Sequence, residues 1–155
     1  MLRIVSFDIV FQEVPNEVTL ALNISGCPHR CEGCHSSHLW EDTGEELTQE
    51  LLQGLLQQHK YAATCVCFMG GDQAPEQVMQ LCRTVKTYNL KTAWYSGFQT
   101  LPKGLDISDL DYLKLGPYVA AKGGLKSPLT NQRLYRKTGN TDNGWEDITA
   151  VFWKK

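Results

Sequence analysis

Thr64-Cys65-Val66-Cys67-Phe68-Met69-Gly70-Gly71-Asp72 is the stretch that decides the fold. From 64 to 69 the run carries almost no polar surface, and two glycines and a carboxylate end it abruptly. A strand that is apolar on both faces belongs inside a parallel sheet covered from two sides. Before it, Leu47, Leu51, Leu52, Leu55 and Leu56 recur at helical spacing. Thr43 and Glu46 have the spacing of a capping box, and this helix is expected to end near Tyr61. After it, Val78, Leu81, Cys82 and Val85 mark one side of a second helix. Residues 91–96 and 112–115 read as further buried strands, the latter after a short segment at 107–110. Strand, helix, strand, helix and strand in that order predict βαβ crossovers and a mainly parallel sheet.

Working outward, residues 3–10 and 17–24 are rich in β-branched and apolar side chains and flank Pro15-Asn16, which predicts a hairpin. Beyond Gly116-Pro117 the pattern weakens into an irregular segment from about 117, with strands expected at 132–136 and 148–152. Trp145 and Trp153 are expected to cover the sheet. A chain of 155 residues has room for one domain, 1–155, but not for a full β/α barrel of about 250 residues. The fold class expected is therefore α/β, with a mainly parallel sheet of five or so strands.

At 42% hydrophobic and 21% charged residues the composition is that of a globular protein, and no apolar run approaches the roughly 18 residues of a membrane span. No basic region followed by a sustained apolar stretch opens the sequence, so a cytoplasmic protein is expected, with neither membrane nor nucleic acid as a partner. The net charge of −2 conceals an asymmetry: 3 Lys and Arg against 11 Asp and Glu up to Cys82, then 12 against 6. Between 112 and 141 there are six basic residues and no acidic one, either a solvated face or a weak docking signal for an anionic partner.

The cysteines concentrate the chemistry. Gly26-Cys27-Pro28-His29-Arg30-Cys31-Glu32-Gly33-Cys34-His35 places three thiols at C-x3-C-x2-C spacing, directly after a predicted strand. Three thiolates so close can hold one iron–sulfur cluster, leaving one iron of a four-iron cubane without a protein ligand. A Cys3His zinc site completed by His29, His35 or His38 is the alternative, and a non-catalytic zinc-stabilised binding domain would follow from it. A thioredoxin-like thiol pair fits less well, because Cys27 and Cys31 are one residue too far apart. Cys65 and Cys67 alternate along the buried strand and Cys82 lies on the apolar side of a helix, so these three read as core. Gly70-Gly71 would open the backbone at a strand end, where α/β sheets bind ligands.

Cysteine loop and Gly-Gly-Asp together resemble the radical S-adenosylmethionine (radical SAM) enzymes. More narrowly, the chain is similar to the activating proteins of anaerobic, class III ribonucleoside-triphosphate reductases. The resemblance runs through the cysteine motif, Trp40, Phe68-Met69-Gly70-Gly71-Asp72, Trp94-Tyr95-Ser96-Gly97-Phe98, Leu110-Asp111-Tyr112-Leu113-Lys114-Leu115-Gly116-Pro117-Tyr118 and Asn131-Gln132-Arg133. His35-Ser36 after the third cysteine and Gln73-Ala74 before Pro75 depart from the common pattern.

The resemblance implies a radical SAM partial barrel and a [4Fe-4S] cluster held by Cys27, Cys31 and Cys34, with S-adenosylmethionine on the open iron. It implies that Gly70, Gly71 and Asp72 meet the methionyl end, that Gly33, Cys34 and His35 lie by the adenine or sulfonium, and that Ser96 and Gly97 reach the ribose or carboxylate. No side chain would serve as acid or base. The activity implied is reductive cleavage of S-adenosylmethionine to a 5′-deoxyadenosyl radical that takes hydrogen from a glycine of the reductase. Its partners would be the large catalytic subunit and a one-electron donor such as flavodoxin or ferredoxin. Activation of another glycyl-radical enzyme, or of another substrate, is the near alternative.

Overall fold

The structure is a computed structural model and describes residues 2–26, 44–138 and 144–153. Within these residues one open sheet of eight strands has the order β3-β1-β2-β4-β5-β6-β7-β8. Strands β1 (Arg3–Val10) and β2 (Thr19–Ile24) form the expected antiparallel hairpin, and β3 (Glu45–Glu46) adds to its outer edge. The centre is parallel: β2 pairs with β4 (Cys65–Met69), β4 with β5 (Lys91–Tyr95), and β5 with β6 (Tyr112–Leu115). Beyond β6 the sheet turns antiparallel again through β7 (Arg133–Lys137) and β8 (Trp145–Asp147). Four strands are thus parallel instead of five or so, because each margin is extended by a local hairpin that needs no crossover.

Two helices occupy the crossovers. Helix α1 (Gln49–His59) begins at Thr48, whose hydroxyl accepts the Leu51 N–H at 3.0 Å, and it buries Leu52, Leu55 and Leu56. The capping box expected at Thr43 and Glu46 is therefore displaced: Glu46 lies in β3, and Leu47 precedes the helix. Thr43 lies outside the described residues. Helix α2 (Pro75–Lys86) starts on Pro75, which needs no N–H partner in a first turn, and buries Val78, Met79, Leu81, Cys82 and Val85. No helix separates β5 from β6; residues 96–111 form turns.

Strand alternation gives the two faces of the sheet different characters. Leu22, Phe68, Trp94 and Leu113 align across β2, β4, β5 and β6 and pack against both helices. Each such side chain contributes about 1.5–3 kcal/mol through burial. Ala21, Cys67, Ala93 and Tyr112 align on the opposite face, beneath Val14, Leu134, Ile148, Leu125 and Phe152. The expected strand at 148–152 is instead a 3-10 helix, Thr149–Trp153. Its first residue explains the difference. The Thr149 hydroxyl accepts from Leu134 N–H at 2.8 Å, and its N–H donates to the Asp147 carboxylate at 2.9 Å, which bends the chain away from β8. Trp145 packs at the margin of the core, whereas Trp153 donates to the Leu125 carbonyl at 2.9 Å and braces the 117–131 loop. No helix among the described residues is long and apolar enough to cross a membrane.

Candidate functional site

Parallel strands bring their carboxyl ends to one rim, and that rim collects the site residues singled out by sequence that fall among the described ones. Ser25 and Gly26 follow β2, Gly70-Gly71-Asp72 follow β4, Ser96-Gly97 follow β5, and Gly116 follows β6. The cysteine loop leaves the sheet here, since Gly26 is the last described residue before Cys27. Cys27, Cys31, Cys34, Gly33 and His35 lie outside the described residues, as do His29, His38 and Trp40.

The rim is held by specific contacts. Gly70 and Gly71 have φ of +109° and +95°, a region that side chains rarely adopt. A Cβ on Gly70 would come within 2.9 Å of the Ile24 carbonyl oxygen, and one on Gly71 within 2.5 Å of Val78 Cγ2. The glycines therefore let the end of β4 turn tightly between β2 and α2, a fold requirement that holds with or without a ligand. Gly70 N–H donates to Tyr95 O at 3.2 Å, and Trp94 Nε1 donates to Gly70 O at 2.8 Å. The buried Asp72 carboxylate accepts from Gly97 N–H at 2.8 Å, and the Gln73 side chain donates to Ser25 O at 2.7 Å. Ser96 is fully buried; its hydroxyl accepts from Phe98 N–H at 3.0 Å, so it shapes the turn after β5. The Asp72 carboxylate and the Ser96 hydroxyl thus brace the same turn after β5.

The register adds residues that sequence motifs alone do not bring together. Ser6, Asn23, Met69, Tyr95 and Lys114 form one row across β1, β2, β4, β5 and β6, just inside the rim and on the face away from the helices. One row deeper, Ala21, Cys67 and Ala93 are buried, whereas Asn23, Met69 and Tyr95 are only half-buried. This face is open at its rim end and closed below. Asn23 Nδ2 donates to Ser6 Oγ at 3.0 Å. Lys114, 9% exposed, donates to the carbonyls of Ser96 at 3.0 Å and Gly116 at 2.8 Å, placing a cation between the ends of β5 and β6. Its signal in the sequence is a lysine inside the apolar run Tyr112-Leu113-Lys114-Leu115. The opposite end is plugged. Tyr95 Oη donates to the Glu13 carbonyl, and buried Glu17 accepts from Tyr112 Oη at 3.0 Å and Thr64 Oγ1 at 2.9 Å, with Lys91 Nζ at 3.2 Å.

Cys65, Cys67 and Cys82 are free, buried thiols. Burial pushes each thiol well above its ordinary range, which favours the neutral form and makes all three poor nucleophiles. Among the described residues no group of three His, Cys, Asp or Glu side chains could hold a metal ion. A cleft of about 670 Å³ lined by Pro75, Glu76, Gln80, Pro102, Lys103 and Leu105 contains none of the predicted site residues.

Residues 17–119 match the 4Fe-4S single cluster domain, a span that includes the cysteine motif and the carboxyl ends of all four parallel strands. Neither curated proteins nor solved structures provide a match.

Proposed function

Because the chain belongs to the family of 4Fe-4S single cluster domains, we propose that it is a radical SAM activase acting on a glycyl-radical enzyme, the anaerobic ribonucleoside-triphosphate reductase. The observation that carries this reading is the convergence on one rim of Gly26, from which the cysteine loop departs, with Gly70-Gly71-Asp72 and Ser96-Gly97 on the next two strands.

The donor set fits a cluster. In this reading Cys27, Cys31 and Cys34 would hold the cluster, while Cys65, Cys67 and Cys82 are packed in the core. A [4Fe-4S] cluster held there would supply one-electron reduction of bound S-adenosylmethionine, with reduced flavodoxin or ferredoxin as the electron source.

The protein's part is to bind and orient. In this reading the Gly70-Gly71 turn borders the methionyl end, and the Asp72 carboxylate fixes Gly97 beside it. Lys114 holds the Ser96 and Gly116 carbonyls in place. Gly33, Cys34 and His35 are assigned to the adenine or sulfonium side. No proton transfer by a side chain is required. Val14, Glu17 and Tyr112 close the deep end of the face.

The test is electron paramagnetic resonance on the anaerobically reconstituted protein, mixed with the reductase large subunit, S-adenosylmethionine and reduced flavodoxin or ferredoxin. A glycyl-radical doublet dependent on every component is expected. Cofactor cleavage without that doublet would reassign the protein to a different substrate.

A further inference from the structure

The six basic residues between 112 and 141 are not equivalent in the structure. Lys114 is buried against two carbonyls, Arg133 pairs with Asp147 at 3.7 Å, and Arg136 pairs with Glu146 at 2.9 Å. Lys137 donates to the Ser108 carbonyl and lies 5.7 Å from the Trp145 ring centroid. Lys122 and Lys126 remain: both are exposed, and neither forms an ion pair among the described residues.

These two lysines sit on the loop 117–131, which springs directly from the rim at Gly116. The loop is internally fastened. Asn131 Nδ2 donates to Pro117 O at 3.1 Å and closes its base, Thr130 Oγ1 donates to Gly123 O at 3.0 Å across its middle, and Trp153 holds Leu125 from outside. Its outer surface is apolar as well as cationic. Leu129 is 75% exposed and Val119 36%, and Ala120, Ala121 and Pro128 are exposed too. At 75% exposure Leu129 adds little to the core, and an exposed apolar side chain on a loop that also carries two lysines suits an interaction surface.

We infer that the 117–131 loop is the docking surface for the protein that receives the radical, and that it fits a partner surface with acidic residues around an apolar centre. This rests on the function proposed above and adds the partner's chemistry and orientation. Charge complementarity selects that occupant. The loop has no acidic residue and carries two exposed lysines, so an acidic partner surface is drawn to it beside the rim. A loop already fastened loses little entropy on docking.

The experiment compares wild type with Lys122→Glu/Lys126→Glu/Leu129→Ser, using the purified reductase large subunit as probe. Direct binding is measured by interferometry over a range of salt, and dithionite-driven 5′-deoxyadenosine formation is measured without the large subunit. The variant is expected to bind roughly tenfold or more weakly, with a flatter salt dependence and unchanged uncoupled cleavage. Lys122→Arg/Lys126→Arg should bind as wild type does. Unchanged binding by the triple variant, no binding by wild type, or displacement of the large subunit by a single-stranded oligonucleotide would overturn the docking assignment. Loss of binding by the variant in a protein that cleaves no cofactor would uphold docking and reject the radical chemistry.

Discussion

The carboxylate of Asp72 accepts the backbone N–H of Gly97 at 2.8 Å, joining the turn after β4 to the turn after β5. Asp72 is 5% exposed, so this contact is made away from water, where a hydrogen bond to a charged group counts for more than one at the surface. Asp72→Ala should lower stability by about 1.5–3 kcal/mol in urea unfolding. It should also weaken S-adenosylmethionine binding, measured by equilibrium dialysis. Asp72→Asn keeps an acceptor and should lose less of both. Equal losses in the two variants would show that charge, not the contact to Gly97, is what matters.

Gly71 turns where Val78 of α2 leaves no room for a side chain, because an alanine Cβ at this position would stand 2.5 Å from Val78 Cγ2. Gly71→Ala should cost about 2–4 kcal/mol from positive φ and crowding together. Val78→Ala in the same chain removes the crowding, so the double variant should be more stable than the sum of single losses requires. A double-mutant cycle checks this, and strict additivity would assign the whole cost to backbone conformation.

Three buried thiols give stability a dependence on alkaline pH. Burial raises Cys65, Cys67 and Cys82 above the ordinary thiol value of 9.0, so the folded state keeps these protons while the unfolded chain releases them. Stability is then fully present below about pH 9 and falls above it, at up to about 1.4 kcal/mol per thiol per pH unit. Unfolding free energies from about pH 7.5 to about pH 10.5 should show the decline, and a Cys65→Ala/Cys67→Ala/Cys82→Ala variant should show a shallower one. An identical slope in that variant would assign the decline to other groups.

The six cysteines should divide cleanly under substitution. Cys31→Ala removes one of three proposed ligands from a set without a spare, so iron and sulfide should both be lost on anaerobic reconstitution. Cys82→Ala alters only core packing and should keep its iron. Full iron content in Cys31→Ala would point to a different ligand, with His29 the nearest histidine in sequence.

The parts of the fold legible in the sequence are those whose identity is local. Residues 64–69 announce a buried strand because nearly every side chain in the run is small or apolar, and Gly70-Gly71 mark its end because only glycine adopts those φ values cheaply. Strand β3 is not legible, since two glutamates become a strand only through pairing with Arg3 and Ile4 from far earlier in the chain. Thr48 takes the cap expected of Thr43 because that pairing consumes Glu46. Ile148 and Val151 carry the composition of a strand, and the Thr149 hydroxyl bonded to Leu134 overrides it. At the site, Gly70, Gly71, Asp72, Ser96 and Gly97 are readable from motif. Asn23, Tyr95 and Lys114 are not readable as one group, because a row of neighbours across the strands exists only once the register is set.

The most direct measurement is 5′-deoxyadenosine formation by the anaerobically reconstituted protein, carrying about four irons per chain, with S-adenosylmethionine and dithionite. The account predicts product that requires both cofactor and reductant and disappears in Cys31→Ala. A protein that holds its iron and sulfide yet forms no 5′-deoxyadenosine would contradict it.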